Sequence, residues 1–129
     1  MTNKPVAVID TTVLIHLLRN NLLATQWLAT QPTLAMTPIS WMEVIYGAPG
    51  RNGQARSLTL LHQFDLIYLT PTDQAWAMQN LLTYRLSHGL SITDCLIASV
   101  CHRFQIPLYT HNVKDMLPLL GPTLVIQPY

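Results

Sequence analysis

Five short apolar runs punctuate this chain, and each is followed by a turn or a longer segment with helical periodicity. Val6-Ala7-Val8-Ile9 is apolar without alternation, which suits a strand buried on both faces. Leu34-Ala35-Met36-Thr37, Leu66-Ile67-Tyr68-Leu69, Ile106 to Thr110 and Leu124 to Gln127 read as the other strands. Strands that alternate with helices predict an α/β fold built on a mainly parallel sheet.

The intervening segments carry ordinary helix signals. Asp10-Thr11-Thr12 opens a helix through Val13, Leu14, Leu17 and Leu18, and a second covers Leu22 to Ala29 before Pro32. Pro38-Ile39-Ser40 leads into a helix from about Trp41, ended by Gly47, Pro49 and Gly50. Arg51 to Arg56 reads as an exposed loop or helix start, and Leu58 to Phe64 as a helix. Thr72 to Ser87 is amphipathic, with Ala75, Met78, Leu82 and Leu86 as the stripe expected to face the core. Ser91 to Phe104 forms a central helix, with Leu96, Val100 and Phe104 on one line and Ile97 and Cys101 beside it.

Composition narrows the function classes. A chain of 129 residues, half of them apolar and a tenth charged, predicts one folded domain over 1–129. No apolar run approaches the roughly 20 residues of a membrane helix, so no membrane association is expected. Met1-Thr2-Asn3-Lys4-Pro5 enters a strand without the hydrophobic core of a signal peptide. Cys95 and Cys101 lie six residues apart within one helix, a poor disulfide separation, so a reducing cytoplasm is the expected location. The five histidines form no zinc-spaced pair. A net charge of +1 gives no bulk nucleic-acid signal.

The acids are few, six in all, yet four fall where a parallel sheet would gather them. Asp10 ends the first strand, Glu43 and Asp94 sit in the first turns of helices, and Asp115 follows the Ile106 run after a short turn. In an open parallel sheet, strand C-termini and the helix N-termini that follow share one edge, where ligands bind. Each acid has a plainer role available. Asp10 can cap its helix, Ser40-x-x-Glu43 and Ser91-x-x-Asp94 fit capping boxes, and Asp115 can be a surface turn residue. Capping does not explain why the acids share one edge. Clustered carboxylates raise one another's pKa unless a cation intervenes, and hard oxygen donors suit Mg²⁺ or Mn²⁺.

At these residues the chain resembles a known family. Ile9-Asp10-Thr11-Thr12-Val13-Leu14-Ile15 resembles the opening motif of PIN-domain nucleases, and the segment Ile39 to Gly47 resembles their second, with Glu43 as its acid. Ser91 to Ala98 resembles the third, centred on Asp94, and Tyr109 to Met116 the fourth. Order and intervals match over nearly the whole chain, and the compact length is most similar to VapC-type toxins. The resemblance implies a three-layer α/β/α sandwich and a Mg²⁺- or Mn²⁺-dependent ribonuclease. Asp10 and Asp94 would ligate metal, Glu43 would bind metal or position water, and Thr11 and Thr110 would hydrogen-bond within the site. Either Asn112 or Asp115 completes the fourth position. Met116 stands where an aromatic is more usual, a packing change. The resemblance also implies an RNA substrate, a small antitoxin that lays a helix along Thr12 to Ala29 and Trp41 to Tyr46, and a homodimer.

Among the basic residues, Lys114 adjoins the acids and is the best candidate for an RNA phosphate, ahead of Arg19, Arg51, Arg56 and Arg103. Trp27, Trp41 and Trp76 suit packing better than base stacking. His16 and His111 are read as structural. Two other functions compete. A non-catalytic PIN-like protein-binding module would use the acids for folding and partner contact, and divalent-metal binding discriminates against it. A phosphatase with Asp10 as nucleophile would want a second acid two residues on, where Thr12 stands.

Overall fold

Consecutive side chains of the first strand belong to opposite sides of a sheet. Ala7 and Ile9 join one buried cluster and Val8 the other. Leu34 and Met36 likewise separate from Ala35. This period of two, with both sides apolar, requires helices on both faces. The computed structural model describes residues 4–129; the predicted lead-in Met1 to Asn3 lies outside the described residues.

In chain order the elements are β1 (Val8–Ile9), α1 (Thr11–Leu18), α2 (Leu22–Ala29), β2 (Ala35–Met36), α3 (Pro38–Tyr46), α4 (Gly50–Leu61), β3 (Asp65–Leu66), α5 (Pro71–His88), α6 (Ile92–Phe104), β4 (Leu108–Tyr109), α7 (Val113–Leu120) and β5 (Val125–Ile126). The strands form one sheet in the order β3-β2-β1-β4-β5, parallel at every pairing. Val8 lies opposite Ala35 on one side and Leu108 on the other. One core holds Val13, Leu14, Val44 and Leu61 from α1, α3 and α4. The second holds Ala77, Ile97, Val100 and Met116 from α5, α6 and α7. Helices thus cover both faces, giving the three-layer α/β/α sandwich. No described helix is long and apolar enough to cross a membrane.

Three sequence expectations change. α4 is one continuous helix through the Arg51 to Arg56 segment. Its Gly53 packs on Pro49, where a Cβ would lie 2.6 Å from the proline Cδ, so this helix-weakening glycine reflects close packing. α7 was not anticipated, because Pro118 lies within it. The α5 stripe is inverted. Trp76, Leu81 and Tyr84 pack on the core, while Met78, Leu82 and Leu86 are 68%, 78% and 86% exposed.

Asp73 is buried, completes a capping box with Thr70, and pairs with Arg103 at 3.0 Å. Arg103 is therefore a structural residue tying α5 to α6. Trp76 stacks on His102 at 4.7 Å between ring centroids, and Trp27 meets Tyr109 edge-on at 5.0 Å. Arg103 keeps 30% of its side chain in solvent while Asp73 is buried, and removing the arginine leaves that buried carboxylate without its cation. Arg103→Gln should therefore cost about 2 kcal/mol of unfolding free energy, whereas the exposed Arg51→Gln should change it negligibly; urea denaturation measures both.

Candidate active site

Asp10 leaves β1 where the ladder to β4 still runs, its N–H donating to the Tyr109 carbonyl at 2.9 Å. It is also the N-cap of α1. Both the capping role and the sheet-edge position therefore fall on one residue. Its carboxylate is 3% exposed and accepts three hydrogen bonds. The Thr11 N–H reaches Oδ1 at 2.8 Å, while the Thr110 and Thr12 hydroxyls reach Oδ2 at 2.6 and 3.2 Å. Thr110 in turn accepts from the Asn112 N–H at 2.8 Å, and Thr12 from the His111 N–H at 3.1 Å. The loop after β4 is thus tied to the start of α1 through Asp10.

Glu43 arrives from α3. The helix begins at Pro38 with Thr37 as its N-cap, and the Ser40 N–H donates to Thr37 Oγ1. The expected Ser40-Glu43 capping box is therefore absent, because Thr-Pro is the stronger start signal and sets the helix three residues earlier. Ser40 is buried inside the helix, 2.9 Å from the Thr11 hydroxyl, and that hydroxyl donates to Glu43 Oε1 at 2.8 Å. Glu43 itself is exposed.

Asp94 lies in the first turn of α6, its N–H donating to the N-cap Ser91 Oγ at 3.1 Å. The Asn112 amide approaches both of its carboxylate oxygens, at 3.4 and 3.5 Å. Asp115 is in the first turn of α7, not in a surface turn. Lys114 beside it is exposed and forms no ion pair among the described residues. Met116 is fully buried.

Electrostatics binds these acids together. Burial pushes the Asp10 carboxyl above its ordinary range against the pull of its hydroxyl and N–H donors, and the Asp94 charge adds to the rise. Asp94 is raised as well, by burial first and then by Asp115. Among the described residues no three His, Cys, Asp or Glu side chains close into a coordination cage. The donor set still fits Mg²⁺ or Mn²⁺, since such ions keep several waters and need only one or two carboxylates. Asp10 and Asp94 are the residues able to supply them.

Sequence reasoning named the uncharged Thr11, Thr110 and Asn112 but missed other hydroxyls of the site. Thr12 and Ser40 are the clearest, and their signal was position, two after Asp10 and three before Glu43. A ring cluster also adjoins the site. His16 Nδ1 lies 2.8 Å from the Tyr129 hydroxyl, and the His111 ring sits 4.5 Å from that of Tyr129 and 4.8 Å from that of His16. Burial, with His16 nearby, pushes the His111 pKa down. Between α1, α3 and α4 runs a groove of about 450 Å³, lined by Ile15, Leu18, Val44 and Ala48, with Glu43, Arg19 and Arg56 also in its wall.

The PIN domain family model matches residues 7–114. A toxin–antitoxin complex from Klebsiella pneumoniae contains a chain of 28% identity, superposing with a TM-score of 0.74 over 95% of this chain and 98% of that one. VapBC2 from Rickettsia felis, bound to a DNA fragment from its promoter, gives 20% identity and a TM-score of 0.75, covering 95% and 98%. FitAcB from Neisseria gonorrhoeae gives 17% and 0.74, covering 95% and 97%. The last two support the fold alone. No curated protein matches the chain significantly.

A raised carboxylate pKa means the folded site holds protons more tightly than the unfolded chain. The cost of charging Asp10 and Asp94 is therefore absent below about pH 3.8, and it grows as pH rises through their folded values. In a chelator-treated sample, Asp10→Asn should be more stable than wild type at pH 7, with the advantage lost as pH falls to about 3.8. Urea titrations at the two pH values read this; an equal or lower stability at pH 7 would contradict the strained carboxylate.

Proposed function

Because the chain belongs to the PIN domain family, we propose that it is a VapC-type toxin, a metal-dependent endoribonuclease neutralised by a small antitoxin and acting as a homodimer. The observation that carries the nuclease reading is the shared edge of Asp10, Glu43, Asp94 and Asp115, where the Asp94 charge adds to the rise of Asp10 and the Asp115 charge to that of Asp94. A cation is the simplest relief for such a cluster. The resemblance of the four motifs directs the chemistry to RNA.

In this reading Asp10 and Asp94 hold Mg²⁺ or Mn²⁺. When bound, the ion neutralises phosphate charge and lowers the pKa of the attacking water. Thr110, Thr12 and the Thr11 N–H fix the Asp10 carboxylate, so that it need not reorganise during the reaction. Thr11 holds Glu43 at Oε1, which leaves Oε2 to orient a water. Asn112 steadies Asp94 without adding charge. Asp115 contributes negative potential, and Lys114 meets an RNA phosphate. A cytoplasmic location suits Cys95 and Cys101, both buried and free.

The antitoxin is assigned to the groove between α1, α3 and α4. Its apolar floor takes the face of an amphipathic helix, and an antitoxin arginine beyond Glu43 would reach the acids. The solved chain from K. pneumoniae that this one is similar to belongs to a toxin–antitoxin complex.

Asp94→Asn separates catalysis from capping, since Asn caps a helix nearly as well as Asp. Loss of one ligand charge should lower the cleavage rate on the order of a thousandfold. Wild type expressed without antitoxin should arrest growth with cleaved RNA, and the mutant at equal soluble level should do neither. Calorimetry with Mn²⁺ should show weakened binding in Asp94→Asn and in Asp10→Asn. Equal toxicity and wild-type metal affinity would remove both residues from the site.

A further inference from the structure

The loop after β4 serves the acids with three residues in succession. Thr110 donates to Asp10 Oδ2, the His111 N–H reaches the same oxygen through the Thr12 hydroxyl, and the Asn112 amide faces Asp94. The His111 ring has a different task. It packs with His16 of α1 and with Tyr129, and its Nε2 is buried without a hydrogen-bond partner among the described residues. A buried nitrogen left unpaired is a cost, so the ring is held here by its neighbours and not by a polar bond.

Tyr129 is the neighbour that joins the parts. The Thr110 N–H donates to the Ile126 carbonyl at the end of β5, and three residues further on the chain reaches Tyr129. Its hydroxyl lies 2.8 Å from His16 Nδ1, and its ring centroid lies 4.5 Å from that of His111 and 5.9 Å from that of Trp27 on α2. Trp27 meets Tyr109 of β4 in turn. Tyr129 therefore touches both segments whose donors hold Asp10, the start of α1 through His16 and the β4 loop through His111.

We propose that Tyr129 is a positioning residue for the acid pair: by pressing the His111 ring against His16, it fixes the Thr110–Asn112 loop where Asp10 and Asp94 both receive their donors. The inference rests on the metal-dependent reading above and deepens it, because Asp10 and Asp94 are the residues assigned to the cation. Hydrogen bonds weaken steeply with misalignment, and the Asn112 contacts to Asp94 are already long, at 3.4 and 3.5 Å. A small shift of the loop would release Asp94 first. A ring cluster that served packing alone would alter stability and leave the cation affinity of the folded protein unchanged.

Two measurements on the full chain separate these roles. Calorimetry should show Mn²⁺ binding weakened about 10- to 100-fold in Tyr129→Ala, with most of the affinity recovered in Tyr129→Phe, which keeps the ring. His111→Ala should match Tyr129→Ala, and the double variant should be no weaker than either, because the tyrosine acts through that ring. Arg103→Gln, destabilised at the opposite end of α6 from Asp94, should bind Mn²⁺ as wild type does. Amide exchange in chelator-treated protein needs neither metal nor RNA. The His111 and Asn112 N–H groups should exchange at least about tenfold faster in Tyr129→Ala, while the Ile67 N–H, bonded to the Met36 carbonyl in the sheet, should not change. If Tyr129→Ala fails to fold, Tyr129→Leu keeps apolar volume without an aromatic face and should show both losses. Unchanged exchange at the two loop amides, unchanged Mn²⁺ affinity, or additive effects in the double variant would each overturn the role of Tyr129. A wild type that binds no Mn²⁺ removes the nuclease reading, and amide exchange alone then decides whether Tyr129 fixes the loop. An RNA-cutting wild type with unchanged exchange in Tyr129→Ala keeps the nuclease and removes the positioning role.

Discussion

Asp10 is an acid in a place that disfavours charge, and much of the molecule is arranged around that fact. It ends the central strand, starts the first helix and is almost wholly buried. Three donors from two separate segments hold its oxygens. Those bonds lower its pKa, yet burial outweighs them. An acid kept this way is costly for an apo protein and well suited to one that recruits a cation. The Thr110 contact spans a hundred residues of sequence, so the carboxylate depends on the sheet register between β1 and β4. Fold and site are therefore not separable at this residue.

The second acid of the cluster is held differently. Asp94 stands half-exposed at a helix N-terminus, where its own backbone is capped by Ser91. Glu43 is more exposed still, tethered by one hydroxyl. A gradient runs from a buried carboxylate held by three donors to an exposed one held by a single hydroxyl. Rigid groups suit holding an ion in place, and a less confined group suits handling water that must arrive and leave.

The strands were legible because a sheet covered on both faces leaves runs such as Val6 to Ile9 with no polar alternation. The four acids were legible because they follow strand ends or lie near helix starts, although the earlier start of α3 puts Glu43 in the second turn of its helix and not the first. What failed had a physical reason in each case. α5 has two apolar faces, and periodicity cannot choose between Trp76-Leu81-Tyr84 and Met78-Leu82-Leu86. Ser40 mimicked a cap, but Thr37-Pro38 starts the helix earlier. α7 was hidden by Pro118, which short helices tolerate when packing compensates. Thr12, which bridges Asp10 and the His111 N–H, was invisible as a site residue because a hydroxyl in a helix start is usually a local cap.

Asn112 shows how the site limits its own charge. An acid there would add a fourth negative group to Asp10, Asp94 and Asp115, with Glu43 close by on α3. Asp94 already raises the cost of charging Asp10, and Asp115 that of charging Asp94. The amide keeps the geometry, because its backbone N–H still holds Thr110 and its side chain still reaches Asp94. It gives up ionic attraction for a cation and spares the apo fold a further unfavourable charge. Asp115, one helical turn on, supplies its charge from a position where it is felt by Asp94. The division of labour is between a neutral residue that positions and an acid that sets potential; in the proposed nuclease, that missing charge weakens the case for a second tightly held ion.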